Sequence, residues 1–179
     1  MVLEKKKELL SGYLKKKKGY LFPISHIGLT KLDEYKKSLY FRMLCFITRQ
    51  YKNTDNMQLE YIERILYGNN AAYGLEHYMK MSYNKVGTNI MDDFRLAFYE
   101  SQLKYYFCID SIIITLLGES NSENYKLLYL FSEMLKVEEK EWYKIIEIAI
   151  KIVEKNEEID EVWCNNIGLY LDLKQYKWY

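Results

Sequence analysis

Residues able to do chemistry are sparse in this 179-residue chain, which has two histidines, His26 and His77, and three cysteines, Cys45, Cys108 and Cys164. Neither histidine has a second one four residues away or a cysteine beside it, so no helical zinc pair can form, and both read as core or surface imidazoles. No serine sits between glycines in a nucleophile elbow, no glycine loop is spaced to cradle phosphate, and no C-x-x-C occurs. One carboxylate stands out: Asp110, the only acid within the apolar run FCIDSIIITLL at 107–117. As a functional group it would be a metal ligand or a partner anchor. As a structural group it would be buried and hydrogen-bonded to a tyrosine, a lysine or a helix N-terminus, because an unpaired buried carboxylate is costly. The structural reading is the favoured one, with Tyr106, Ser111 and Lys104 as nearby donors and a contact to an earlier helix equally open. No enzyme and no cofactor are expected.

Two further groups suit binding rather than catalysis. Lys5, Lys6, Lys7, Lys15, Lys16, Lys17 and Lys18 flank a leucine stripe, Leu3, Leu10 and Leu14. Such a basic amphipathic helix suits nucleic acid or an anionic membrane surface, or else docks its leucines on the domain and leaves its lysines in water. At the other end Tyr170, Tyr176, Trp178 and Tyr179 offer an aromatic partner surface, with Tyr106 and Asp110 as companion contacts. The partner expected is another protein, with a homodimer also compatible.

The elements that must position these residues are helical. Apolar residues make up 49% of the chain against one proline and eight glycines, which favours a folded, helix-rich domain over disorder. A net charge of +1 points to no polyanionic partner beyond the local lysine patch. Widely spaced, odd-numbered cysteines in apolar surroundings fit reduced core thiols. Lysines occupy the place where a signal peptide would be apolar, and no segment reaches the roughly 18 apolar residues of a membrane span, so a cytoplasmic location is expected. An AT-rich coding bias accounts for the nineteen tyrosines without invoking function.

Periodicity places a first helix over 2–18, ended by Gly19, then an extended connector carrying Pro23. Thr30 and Asp33 suggest a capping box opening a helix that runs to about Arg49. Asp55 and Gln58 suggest another, for a helix ended by Gly68. A short helix is expected near 75–81. Apolar residues hold helical period from Thr88 to Leu117, and at 1.5 Å per residue one helix of that length would reach about 42 Å, so a break is expected near 101–104. Two helices follow, around Leu128 and around Ile145, the latter with Glu147 and Lys151 four apart on its outer face. A short helix over 157–168 precedes a tail that reads equally as a helix turn or as a strand pairing with 20–24. The expected architecture is an all-α, single compact bundle of about seven to nine helices. Its divisions are a basic helix and connector at 1–31, a helical core at 32–155 and an aromatic extension at 156–179.

Sliding residues 40–66 forward by 66 places Phe41 on Phe107, Phe46 on Ile112, Ile47 on Ile113, Leu59 on Tyr125 and Ile62 on Leu128. Two such helix-loop-helix units, the second reading YYFCIDSIIITLLGESNSENYKLLYLFSEML, resemble the TerB-like family named for tellurite resistance over about residues 32–155. The resemblance implies an all-helical fold and a place in stress-response or phage-defence assemblies. It also implies acidic turns associated with divalent metal. Here those turns read Gln50-Tyr51-Lys52 and Leu117-Gly118-Glu119, leaving Asp55, Glu60, Glu119 and Glu123 as the acids available. A hard cation wants six or more oxygens, so no metal is expected. The expected function is a non-catalytic adaptor that binds another protein through the groove between its two units, with Asp110 and the tyrosines nearby. The alternatives are an electrostatic binder of nucleic acid or membrane, and an immunity or antagonist protein that neutralises a toxin or defence enzyme.

Overall fold

The structure is a computed structural model, and it describes residues 22–50, 54–83, 87–118, 122–156 and 159–176. The lysine helix, Trp178 and Tyr179 lie outside these residues. Among the described residues there are eight α-helices and no strand: α1 (Glu34–Thr48), α2 (Asn56–Gly68), α3 (Leu75–Tyr83), α4 (Thr88–Phe98), α5 (Leu103–Leu117), α6 (Ser122–Met134), α7 (Glu139–Val153) and α8 (Glu161–Asn166). Short 3-10 turns at Leu29–Lys31 and Leu173–Tyr176 flank them. The all-α bundle is therefore as the sequence implies.

Helix α5 is apolar around nearly its whole circumference, which a helix tolerates only at the centre of a protein. It packs against α7, α1, α6 and α2. Helix α7 presents Trp142, Ile145, Ile148, Ala149 and Ile152 to it and keeps its charges outside, where Glu147 and Lys151 pair at 3.0 Å. Interlocked rings fill the space between α1, α4, α5 and α6: Tyr40 meets Phe41, Phe98 and Phe107 edge-on, and Phe94 and Phe131 close on Phe107. Such tilted and edge-to-face contacts satisfy the ring quadrupoles while burying large apolar areas. One core unites all three expected divisions, since Ile24 and Leu29 of the connector and Cys164, Leu169 and Tyr176 of the extension belong to it.

The apolar period from 88 to 117 is carried by two helices, α4 and α5, with the break at 99–102. The expected capping box of α2 is present, with Asp55 accepting from the Met57 amide and Gln58 returning to the Asp55 amide. At α1 the N-cap is Asp33 rather than Thr30, because the chain first makes a 3-10 turn over Leu29–Lys31, and the Asp33 side chain accepts from the Lys36 amide. Gly68 ends α2, as expected, and its lack of a side chain serves packing: a Cβ there would lie 2.2 Å from the Ile24 carbonyl oxygen. The tail resolves into a 3-10 turn, not a strand, though it does lie against the connector.

The internal similarity has a structural counterpart. Helix α2 moved forward by 66 residues coincides with α6 end for end, and α1 falls within three residues of α5. Phe41 and Phe107, Ile47 and Ile113, and Ile62 and Leu128 are buried in both copies, whereas Tyr125, opposite Leu59, is exposed.

Candidate functional site

Asp110 lies in the middle of α5 with no exposure to solvent. Its Oδ1 accepts from the Tyr61 hydroxyl at 2.7 Å, and its Oδ2 accepts from the Tyr40 hydroxyl at 2.7 Å and from His26 Nε2, also at 2.7 Å. The donors come from three elements: Tyr40 from α1, Tyr61 from α2 and His26 from the connector. Carboxylate oxygens only accept, so the contact assigns the proton of the imidazole to Nε2. Among the described residues His26 Nδ1 has no hydrogen-bond partner.

His26 reaches this place because the connector is laced to the end of α2. The Ile24 amide donates to the Arg64 carbonyl at 3.0 Å, the His26 amide donates to Asn69 Oδ1 at 2.9 Å, and Asn69 Nδ2 returns to the Ile24 carbonyl at 2.9 Å. Ser25 Oγ donates to the Gly68 carbonyl at 2.7 Å. The imidazole lies under the Tyr106 ring, with centroids 4.7 Å apart. Tyr176, also buried, stands near the Asp110 carboxylate. Burial first, and the Asp110 charge second, hold the Tyr40, Tyr61 and Tyr176 hydroxyls well above the usual tyrosine range. These tyrosines stay protonated, so the two bonded to Asp110 remain donors.

A histidine, an acid and two hydroxyls within hydrogen-bond reach are the parts of an acid–base centre, yet each is enclosed and their protons are committed to one another. The arrangement supplies the partners that a buried carboxylate requires. The neighbours in sequence that could have supplied them are engaged elsewhere: Tyr106 donates to the Tyr170 carbonyl, Ser111 to the Phe107 carbonyl and Lys104 Nζ to the Lys136 carbonyl. Sequence reasoning named none of the three partners, His26, Tyr40 and Tyr61, although it left a contact to an earlier helix open. The only signal for His26 or Tyr40 was a polar group in an apolar setting, in the connector and at mid-α1.

Asp110, Tyr106 and Tyr176, expected as partner contacts, are buried in this packing, at 0%, 1% and 4% exposure. Tyr170 does reach solvent, at 54% exposure. Of the acids considered for metal, Asp55 caps α2, and no group of three or more His, Cys, Asp or Glu among the described residues could hold an ion. Glu60 belongs to no such group, Glu119 lies outside the described residues and the Glu123 side chain likewise.

An open concavity lies elsewhere among the described residues. A groove of about 790 Å³ runs between the end of α2, the following loop and the start of α3, with Pro23, Leu66, Tyr67, Tyr73, Leu75 and Glu76 among its walls. Tyr67 and Tyr73 are substantially exposed, and Tyr73 stacks on His77 with centroids 4.1 Å apart. No described helix is long and apolar enough to cross a membrane. Comparison with profiles of known families, with curated proteins and with solved structures found no match to this chain.

Proposed function

We propose that the chain is a non-catalytic helical interaction module that engages another protein through the groove between α2 and α3. The observation carrying this reading is the contrast between the two polar–aromatic regions. The acid–base group around Asp110 is sealed, with both carboxylate oxygens bonded from within, while the aromatic walls of the groove face solvent. Tyrosine rings give large contact area at low entropic cost. The resemblance of residues 32–155 to TerB-like proteins, together with the repeated helix pair, supports a place in a stress-response or phage-defence assembly. A photo-crosslinker replacing Tyr73, used in extracts of the native host, should capture a protein in high salt, with crosslinks confined to the groove. Small-molecule turnover by the purified chain, with nothing captured, would overturn the reading.

A second reading rests on the seven lysines against two glutamates in residues 1–18. Clustered cations attract phosphate whatever the net charge of the rest. Gel-shift and anionic-vesicle assays with and without residues 1–18 test it, and equal binding by both forms would dismiss it.

A further inference from the structure

The C-terminal stretch 168–176 buries only two side chains, Leu169 and Tyr176, and leaves Tyr170, Asp172 and Lys174 exposed. Leu171 and Leu173 pack, partly buried, against the same core, and the rest of the attachment is polar and concentrated. The Tyr106 hydroxyl donates to the Tyr170 carbonyl at 2.8 Å and accepts from the Tyr170 amide at 2.9 Å. Arg64 Nη2 donates to the Gln175 carbonyl, and Gln175 Oε1 accepts from the Ser25 amide at 2.7 Å. Each tie ends on an immediate neighbour of the buried cluster. Tyr106 covers the His26 ring, Ser25 precedes His26 in the connector, and Arg64 lies one helical turn from Tyr61 on α2. Tyr176 is buried at the end of the stretch, and the Asp110 charge adds to the burial that holds its hydroxyl well above the usual tyrosine range.

The stretch leaves the end of α8 at a glycine, Gly168, whose φ of 70° lies in the left-handed region that other residues adopt at a cost. Between it, the connector and α8 lies a cavity of about 300 Å³, lined by Ser25, Ile27, Cys164, Tyr170 and Gln175 among others. Segments with few buried apolar contacts and solvent-facing hydrogen bonds open at lower free energy than a core. We propose that residues 168–176 are a releasable strap that governs access to the buried His26–Asp110 pair. Lifting it removes the cover beside Asp110 and frees the Tyr106 ring over His26, opening an imidazole with an unbonded Nδ1, a carboxylate and two tyrosine hydroxyls. The inference concerns regulation of the fold and stands whether or not the α2–α3 groove binds a partner.

The two histidines provide the test, because His77 is exposed and serves as an internal standard for His26. In the full chain, diethyl pyrocarbonate should modify His77 readily and His26 slowly. Tyr106→Phe keeps the ring over His26 but deletes both ties to Tyr170. It should raise the His26 rate at least about tenfold, with His77 and the helical circular dichroism unchanged. Tyr176→Ala should do the same more strongly. An unchanged His26 rate in both variants would overturn the proposal. Hydrogen exchange of the unmodified chain decides independently of any variant's folding: the Leu169 and Tyr170 amides should exchange well before those of α5. Exchange of both sets in step would mean that no strap opens separately.

Discussion

Asp110 takes its three donors from three separate elements, so its side chain works as a bolt between α5, α1, α2 and the connector. Removing the carboxylate strands two hydroxyls and an imidazole without water. Asp110→Ala is therefore expected to cost about 3–5 kcal/mol, the range for breaking a buried charged partnership, measured by urea unfolding. Tyr61→Phe, which orphans one lone pair, should cost about 1–3 kcal/mol in the same assay. A buried carboxylate in need of donors was legible from the apolar run around it. Which donors was not legible, because hydrogen-bond reach near Asp110 is set by how α1, α2 and the connector dock, not by distance along the chain. The thiols belong to this scale too. Burial pushes Cys164 up to about 11 and Cys45 and Cys108 higher still. Nucleophilic thiolate is thus suppressed. An Ellman titration should find no rapidly reacting thiol in the folded protein and three after denaturation, and fast reaction at Cys45 or Cys108 would contradict the packing.

At the scale of elements, close approach matters more than intrinsic preference. Gly68→Ala would press a methyl against the Ile24 backbone, and since backbone cannot rotate aside as a side chain can, a loss of about 1–3 kcal/mol is expected in a thermal or urea melt. Its place at the end of α2 was legible as a helix stop, whereas the approach of the Ile24 backbone was not. Gln58 joins two elements: its Oε1 caps α2, and its Nε2 donates to the Ile114 carbonyl of α5 at 2.8 Å. The cap was visible from the spacing of Asp55 and Gln58, being local. The reach to Ile114 spans 56 residues and was not. The break between α4 and α5 was inferable from length alone, since a single helix would have outgrown the domain. The N-cap at Asp33 was displaced from the expected Thr30 because local hydrogen bonding at Leu29–Lys31 favours a separate 3-10 turn.

Across the whole molecule, three buried tyrosines converge near one acid, and this sets a limit at high pH. Tyr40, Tyr61 and Tyr176 hold their protons above the value of about 10 that they have in an unfolded chain, so the unfolded chain releases protons first. Their contribution to stability is complete below about pH 10 and is lost as pH rises toward the native values. An alkaline titration should show circular dichroism and part of the tyrosinate absorbance changing together above that pH. Tyrosinate formation at all three sites without unfolding would contradict the burial. The guanidinium of Arg64 also has a topological consequence. It donates to the Phe22 carbonyl at 2.7 Å and to the Gln175 carbonyl, so the two extremities of the described chain are fastened to one side chain. The described part of the chain is in effect a closed loop. A circular permutant that runs from Tyr176 through a short linker into Phe22, and is cut open at the hinge between α4 and α5, should keep the same helices and the same core order, because closing so small a gap adds little entropic cost.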